Sequence, residues 1–237
     1  MARLAYRVSV KTLAERVEQS GDIHFRFSAR SNAMDGIRGH QKLQKSRASD
    51  YLAEQSVTDT IHFDDFDIEL SGRADGCVPG TSHLLVEEIK TLRVDVKRLP
   101  DPVKRVHWGQ AKLYGYLLAR EYGAKDITLR LTYYNLDEEA EYSFDDDWNM
   151  PELEHEYRRL IDAYARFLKQ LIAWRKRRDQ SISIMNMPYG EFRPGQRQMA
   201  VAVYRALQSE QQLVMQAPTG IGKTVGSLFP AIKAMAD

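Results

Sequence analysis

The chain has 237 residues, 43% of them hydrophobic and 28% charged, and its 34 Lys and Arg against 33 Asp and Glu leave a net charge of +1. This composition excludes a disordered or fibrous chain, and the length fits one good-sized domain plus part of another, at about 100–200 residues per domain. The lone cysteine, Cys77, excludes an internal disulfide framework. No apolar run reaches the roughly 18 residues of a spanning helix, and the start, Met1 to Tyr6, has no continuous apolar core of a signal peptide. The expected location is cytoplasmic or nucleoid-associated, with no membrane partner.

Residues 4–8 read as a short strand, and Ser9 or Thr12 caps the amphipathic turn through Leu13 and Val17. Ser20-Gly21-Asp22 stops that turn. Residues 32–54 carry a polar helical pattern with Met34, Ile37, Leu43, Tyr51 and Leu52 as inward candidates, and His40 lies within it. On its own, His40 reads as an ordinary buried or surface histidine. Residues 58–63 and 66–71 alternate as paired strands around Asp64 and Asp65, and lead into Gly72-Arg73-Ala74-Asp75. A turn rich in Gly, Pro and Ser follows. His83 to Thr91 then returns as a strand so apolar that it reads as an inner one, and Glu88 and Lys90 need a reason to be there.

Alternation along a strand puts Glu88 and Lys90 on one face and Ile89 on the other. With Asp75 they bring two hard carboxylates and a cation together. That set suits a divalent ion such as Mg2+ and the charge that grows on phosphorus oxygens during phosphodiester cleavage. An acid and a lysine two apart also occur by chance on an exposed edge strand, so the pattern needs support from elsewhere in the chain.

Lys97, Arg98, Lys104 and Arg105, with Trp108, form a basic, aromatic-bearing stretch that leads into a helix over about 104–122. Either a nucleic-acid strand lies there, with phosphates on the cations and a base on Trp108, or the loop is solvated with the tryptophan packed beneath it. Gln110 and Tyr114 are one turn apart on that helix. Asp126 to Leu136 alternates as a strand, residues 141–144 pair back, and Asp145-Asp146-Asp147 reads as an exposed turn before the next helix. Residues 151–178 form the clearest helix, with Leu153, Tyr157, Leu160, Ile161, Tyr164, Phe167, Leu168, Leu171 and Ile172 on one face. Its Trp174-Arg175-Lys176-Arg177-Arg178 end either complements the helix dipole or reaches phosphates. Residues 180–187 read as a linker or short strand.

In order, these motifs are GxxxH (Gly36, His40), GxxD (Gly72, Asp75), ExK (Glu88, Lys90) and QxxxY (Gln110, Tyr114). Over residues 30 to 135 that series resembles the PD-(D/E)XK nucleases, in particular the RecB-type and CRISPR-associated exonucleases. The resemblance implies that His40, Asp75 and Glu88 with the Ile89 carbonyl hold Mg2+ or Mn2+. It also implies that Lys90 is catalytic and that Gln110 and Tyr114 support the site and the DNA. Some relatives carry an iron–sulfur cluster on four cysteines, and with Cys77 alone that cluster is not expected here.

Near the C-terminus, residues 211–216 read as a strand before Ala217-Pro218-Thr219-Gly220-Ile221-Gly222-Lys223-Thr224 and an apolar helix start. In such a loop Gly220 and Gly222 free backbone N–H groups for phosphates, Lys223 neutralises the outer ones, and Thr224 places a hydroxyl on Mg2+. Together with Phe192-Arg193-Pro194-Gly195-Gln196, this resembles the opening of DinG- and XPD-type superfamily 2 DNA helicases, which implies that Gln196 reads the adenine. The expectation is an α/β chain, with a restriction-endonuclease-like mixed sheet in a nuclease domain over 1–182 and the first βα unit of a RecA-like domain over 183–237. Its expected function is metal-dependent DNA cleavage within a helicase-nuclease of DNA repair or processing, the alternative being a DNA-holding appendage of a helicase that does not cut. ATP binding is expected to be weak, without helicase or ATPase activity from these residues, and the expected partners are DNA and the remainder of a helicase motor.

Overall fold

The computed structural model describes residues 4–20 and 33–236. Six strands form one mixed sheet: β1 (Leu4–Ser9), β2 (Leu52–His62), β3 (Phe66–Val78), β4 (His83–Leu92), β5 (Asp126–Asn135) and β6 (Ala140–Asn149). The helices are α1 (Val10–Glu18), α2 (Ala33–Ser46), α3 (Asp101–Tyr122), α4 (Met150–Ser183), α5 (Gln196–Gln208) and α6 (Lys223–Lys233), with a 3-10 turn over Val96–Arg98. The fold is thus mixed α/β with helices flanking the sheet.

The sheet runs β1-β3-β4-β5-β6, with β2 also on β3. The antiparallel β2 occupies one edge of β3 along nearly its whole length, from Leu52↔Cys77 to His62↔Asp67. The other edge is shared. Parallel β1 covers it from Phe66 to Ser71 and antiparallel β4 from Gly76 to Val78, so among the described residues no strand pairs with 72–75 on that side. The uncovered stretch is the GxxD motif.

The inner position expected for residues 83–91 is observed: β4 pairs in parallel with β5 along its full length, and Leu84, Val86 and Ile89 are fully buried. Ser9 caps α1, its Oγ accepting from Thr12 N–H at 3.0 Å. The stop expected at Gly21 and Asp22 lies outside the described residues. Gly123, at φ 69°, ends α3 in the left-handed conformation.

Several expectations change. The helix predicted over 32–54 ends at Ser46, and residues 52–57 join β2, because pairing with β3 outweighs the helical preference of Leu52, Ala53 and Glu54. Asp145, Asp146 and Asp147 lie in β6 and not in a turn. Two of them are tied across to β5, Asp145 to Arg130 at 2.7 Å and Asp147 to the Thr128 hydroxyl at 2.5 Å. Helix α4 runs on to Ser183, so residues 180–183 are neither linker nor strand. Residues 211–216 form no strand; among them Val214 is 99% exposed.

The chain divides into two compact units, Met1–Arg166 and Phe167–Asp237. The division falls within α4, upstream of the boundary expected at 182/183. In the first unit α4 packs on α3, with the rings of Tyr116 and Tyr157 stacked at 4.2 Å and Lys112 paired to Glu156 at 2.9 Å. In the second, α5 and α6 pack together, and Gly226 allows their approach: a Cβ there would stand 3.3 Å from Gln196 and Met199.

Candidate active site

Strands β3 and β4 pair only over Gly76↔Glu87, Cys77↔Val86 and Val78↔Leu85, and then part. Asp75 and Glu88 are the next residues on either strand, facing each other where the ladder ends. The β2–β3 ladder also lacks a pair at Glu54 and Asp75, and Glu54 has φ 57°, a local break that frees Asp75 from regular pairing on its second side. The carboxyl of Asp75 crosses the fork, and its Oδ2 accepts the Ile89 N–H at 2.7 Å. A residue's N–H and C=O leave a strand on the same edge, so the Ile89 carbonyl faces the fork as well.

From the other side α2 closes on Asp75. His40 Nδ1 lies 3.0 Å from Asp75 Oδ1, and one turn later Gln44 Nε2 donates to the Asp75 carbonyl at 2.9 Å. The helix comes this close because of Gly39, whose added Cβ would stand 2.6 Å from Thr91 Cγ2 on β4. Burial works against the charged form of His40, but the Asp75 hydrogen bond and charge outweigh it, and its pKa is raised.

Glu88 is 3% exposed, and burial lifts its carboxyl to about 7, with Lys90 opposing the shift and Asp75 adding to it. Lys90 donates to Glu88 and, at 2.8 Å, to Gln110 Oε1 on α3. Burial disfavours its ammonium, yet Glu88 and Asp75 prevail and hold its pKa above the ordinary value. Tyr114, one turn after Gln110, bonds through its hydroxyl to the Arg73 backbone, and burial raises its phenol well above the usual range. Gly72 admits the ring: a Cβ there would lie 2.8 Å from it. His107, also on α3, sits 3.0 Å from the Tyr133 hydroxyl, and burial aided by Lys90 and Lys11 lowers its pKa to about 3.

The structure thus gathers His40, Asp75, Glu88, Lys90, Gln110 and Tyr114 around one fork, from α2, β3, β4 and α3. Two carboxylates, an imidazole and an edge carbonyl suit a hard divalent cation in their chemistry. In this arrangement Asp75 is bonded to His40 and to the Ile89 N–H, and Glu88 to Lys90, and among the described residues no group of three or more His, Cys, Asp or Glu side chains is arranged to hold an ion.

Sequence reasoning missed Gln44 and a second group behind the fork. Glu87, 1% exposed, faces away from Glu88 and is held by Arg47 at 2.5 Å and the Thr132 hydroxyl at 2.6 Å, while Arg47 also reaches Glu141 at 2.6 Å. Arg47 therefore pins the end of α2 to β4 and β6. The spacing of His40 and Gln44 at i and i+4 was the available signal for Gln44. Nothing local marks Arg47, whose partners are 40 and 94 residues away.

Of the basic stretch, Lys97 and Arg98 are exposed on the 3-10 turn. Lys104 is 4.0 Å from Asp101, and Arg105 bonds to Ser20. Trp108 packs against the buried cluster of Leu92, Val96, Leu99, Leu131 and Tyr133.

In the second unit Gly220 and Gly222 have φ 83° and 81°, and Lys223 begins α6. Lys223 Nζ donates to the carbonyls of Ala217 and Pro218 at 3.1 and 2.7 Å. Gln196 is 3% exposed, its Oε1 accepting from Arg193 N–H and its Nε2 donating to the Gly222 carbonyl, both at 3.0 Å.

No protein-family model matches the chain. Over 45 residues, 19% of its length, it is 40% identical to a probable ATP-dependent helicase of Methanocaldococcus jannaschii, and it spans 7% of that protein. Its structure is similar to that of the protein SSO0001, at a TM-score of 0.42 and 20% identity over 68% of this chain and 78% of the other. It is also similar to an alkaline exonuclease from Laribacter hongkongensis, at a TM-score of 0.37 and 14% identity over 70% and 93%. Among the described residues no helix is long and apolar enough to cross a membrane.

Proposed function

We propose that the first unit is a metal-dependent nuclease of the PD-(D/E)XK type that cleaves DNA phosphodiester bonds. The observation that carries this reading is the fork: Asp75 and Glu88 face each other at the end of the β3–β4 ladder, with Lys90 two residues on and anchored to Gln110. His40, Asp75, Glu88 and the Ile89 carbonyl would hold Mg2+ or Mn2+. A bound ion of this kind supplies a water of lowered pKa and polarises the phosphate.

The chain's own groups do the rest. Lys90, kept protonated by two carboxylates, offsets charge developing on the phosphorus oxygens. Gln110 fixes the direction of the ammonium, and Tyr114 fixes the backbone at Arg73 just ahead of Asp75. Lys97 and Arg98, exposed on the 3-10 turn, are the cations to which this reading gives the phosphate contacts.

For the second unit we propose nucleoside triphosphate binding at residues 217–224, supported by the left-handed Gly220 and Gly222 and by Lys223 at the start of α6. The short match to a probable helicase is in keeping with a motor partner for the nuclease. Incubation with end-labelled DNA and Mg2+ or Mn2+ tests the first reading. Cleavage by the parent chain, lost in Glu88→Ala and in Lys90→Ala with the fold retained, is expected; the same cleavage rate in both variants removes it.

A further inference from the structure

We propose that Gln196 positions the phosphate loop and does not read the base, so that this chain binds nucleoside triphosphates through their phosphates with little preference among bases. The proposal rests on the triphosphate reading given above for residues 217–224. It departs from the adenine-reading role that the helicase resemblance implies for Gln196.

A glutamine that reads adenine presents both ends of its amide to the base, accepting from one amino group and donating to one ring nitrogen. In this chain both ends are engaged with the protein. Oε1 accepts the Arg193 N–H and Nε2 donates to the Gly222 carbonyl, each at 3.0 Å. The amide retains a second lone pair and a second N–H, but the residue is 3% exposed, and an unpaired amide there would be costly. The surrounding glycines fit this clamp. A Cβ at Gly222 would lie 2.4 Å from Gln196 Nε2, and one at Gly226 would lie 3.3 Å from Gln196 Cγ, so both positions are bare where the side chain passes.

The clamp has a mechanical consequence. Gly222 is the residue at which the loop turns into α6, at φ 81°, and Gln196 fixes its carbonyl to the start of α5. A second tie runs in parallel, from Arg193 to the Gly220 carbonyl at 2.5 Å. Loop conformation therefore depends on the 193–196 turn. A phosphate chain would take Lys223 from the Ala217 and Pro218 carbonyls without disturbing either tie.

The test is calorimetric titration of the full chain with Mg–ATP, Mg–GTP and inorganic tripolyphosphate, which needs no variant. Expected are dissociation constants within about threefold of one another. Gln196→Ala should then weaken all three alike, by about tenfold, as loss of one buried tie would. A preference for ATP above about tenfold that disappears in Gln196→Ala would overturn the positioning role and leave the triphosphate reading standing. Failure of all three ligands to bind would overturn both.

Discussion

Asp75 and Glu88 occupy the first position at which β3 and β4 no longer pair, so their carboxyl groups face the gap that opens between the strands. Unpaired edges are normally covered or charged, since free N–H and C=O groups invite other partners. Here Asp75 bridges the gap to the Ile89 N–H, and Glu88 is buried beside Lys90. An acid at an open edge satisfies the strand and at the same time presents oxygen to a ligand.

Replacing either acid should remove function without removing the fold. Asp75→Asn keeps the size of the side chain and one acceptor for Ile89, but not the charge. Cleavage of end-labelled DNA should fall by a factor of about 10²–10³ or more, the usual loss for an electrostatic contact made in the transition state. Unchanged rates would place the chemistry elsewhere.

The approach of α2 can be tested through Gly39. Gly39→Ala sets a methyl group 2.6 Å from Thr91 Cγ2 and should destabilise the chain by about 1–3 kcal/mol, while drawing His40 and Gln44 away from Asp75. Adding Thr91→Ser removes the clashing methyl and should restore much of both stability and cleavage. Denaturant melts and rates of the single and double variants measure this coupling.

Acid should weaken the fold through His107. Its folded pKa of about 3 lies below the unfolded value near 6.5, so the unfolded chain takes up the proton first as pH falls. This group's contribution is present above the unfolded value and declines below it, by about 2 kcal/mol at pH 5. His107→Gln removes this group's titration, so the stability difference between parent and variant should shift by about 2 kcal/mol between pH 7 and 5, seen in urea melts of both at each pH.

Binding of DNA should separate the cations from the tryptophan. Lys97→Ala with Arg98→Ala should reduce the slope of log affinity against log salt by about 1.4–1.8, as two phosphate contacts would. Trp108→Ala should instead lower stability by a few kcal/mol, about 3–5 at full burial, and leave that slope alone, because its ring packs on the cluster around Leu131 and Tyr133. Fluorescence anisotropy titrations at several salt concentrations distinguish the two.

The sequence by itself determined the parts whose information is local. Alternation placed Glu88 and Lys90 together on one face of β4, helical spacing placed Gln110 and Tyr114 one turn apart, and apolar density marked β4 as an inner strand. Glycines at 72, 220 and 222 were visible as motif positions, although the reason for Gly72, the ring of Tyr114 against it, was not. Tertiary structure decided what depends on a distant neighbour. Residues 52–57 became strand because β3 offered an edge, whereas residues 211–216, with comparable strand character, have no paired neighbour and form none. The fork exists because β1 and β4 divide one edge of β3 and leave Gly72 to Asp75 between them, and α2 reaches it through His40 and Gln44. Side-chain period is written into each segment, which brings Lys90 to Glu88, but hydrogen bonds between segments 30 to 100 residues apart form only once the chain has folded, and these give Asp75 its His40 and Glu87 its Arg47.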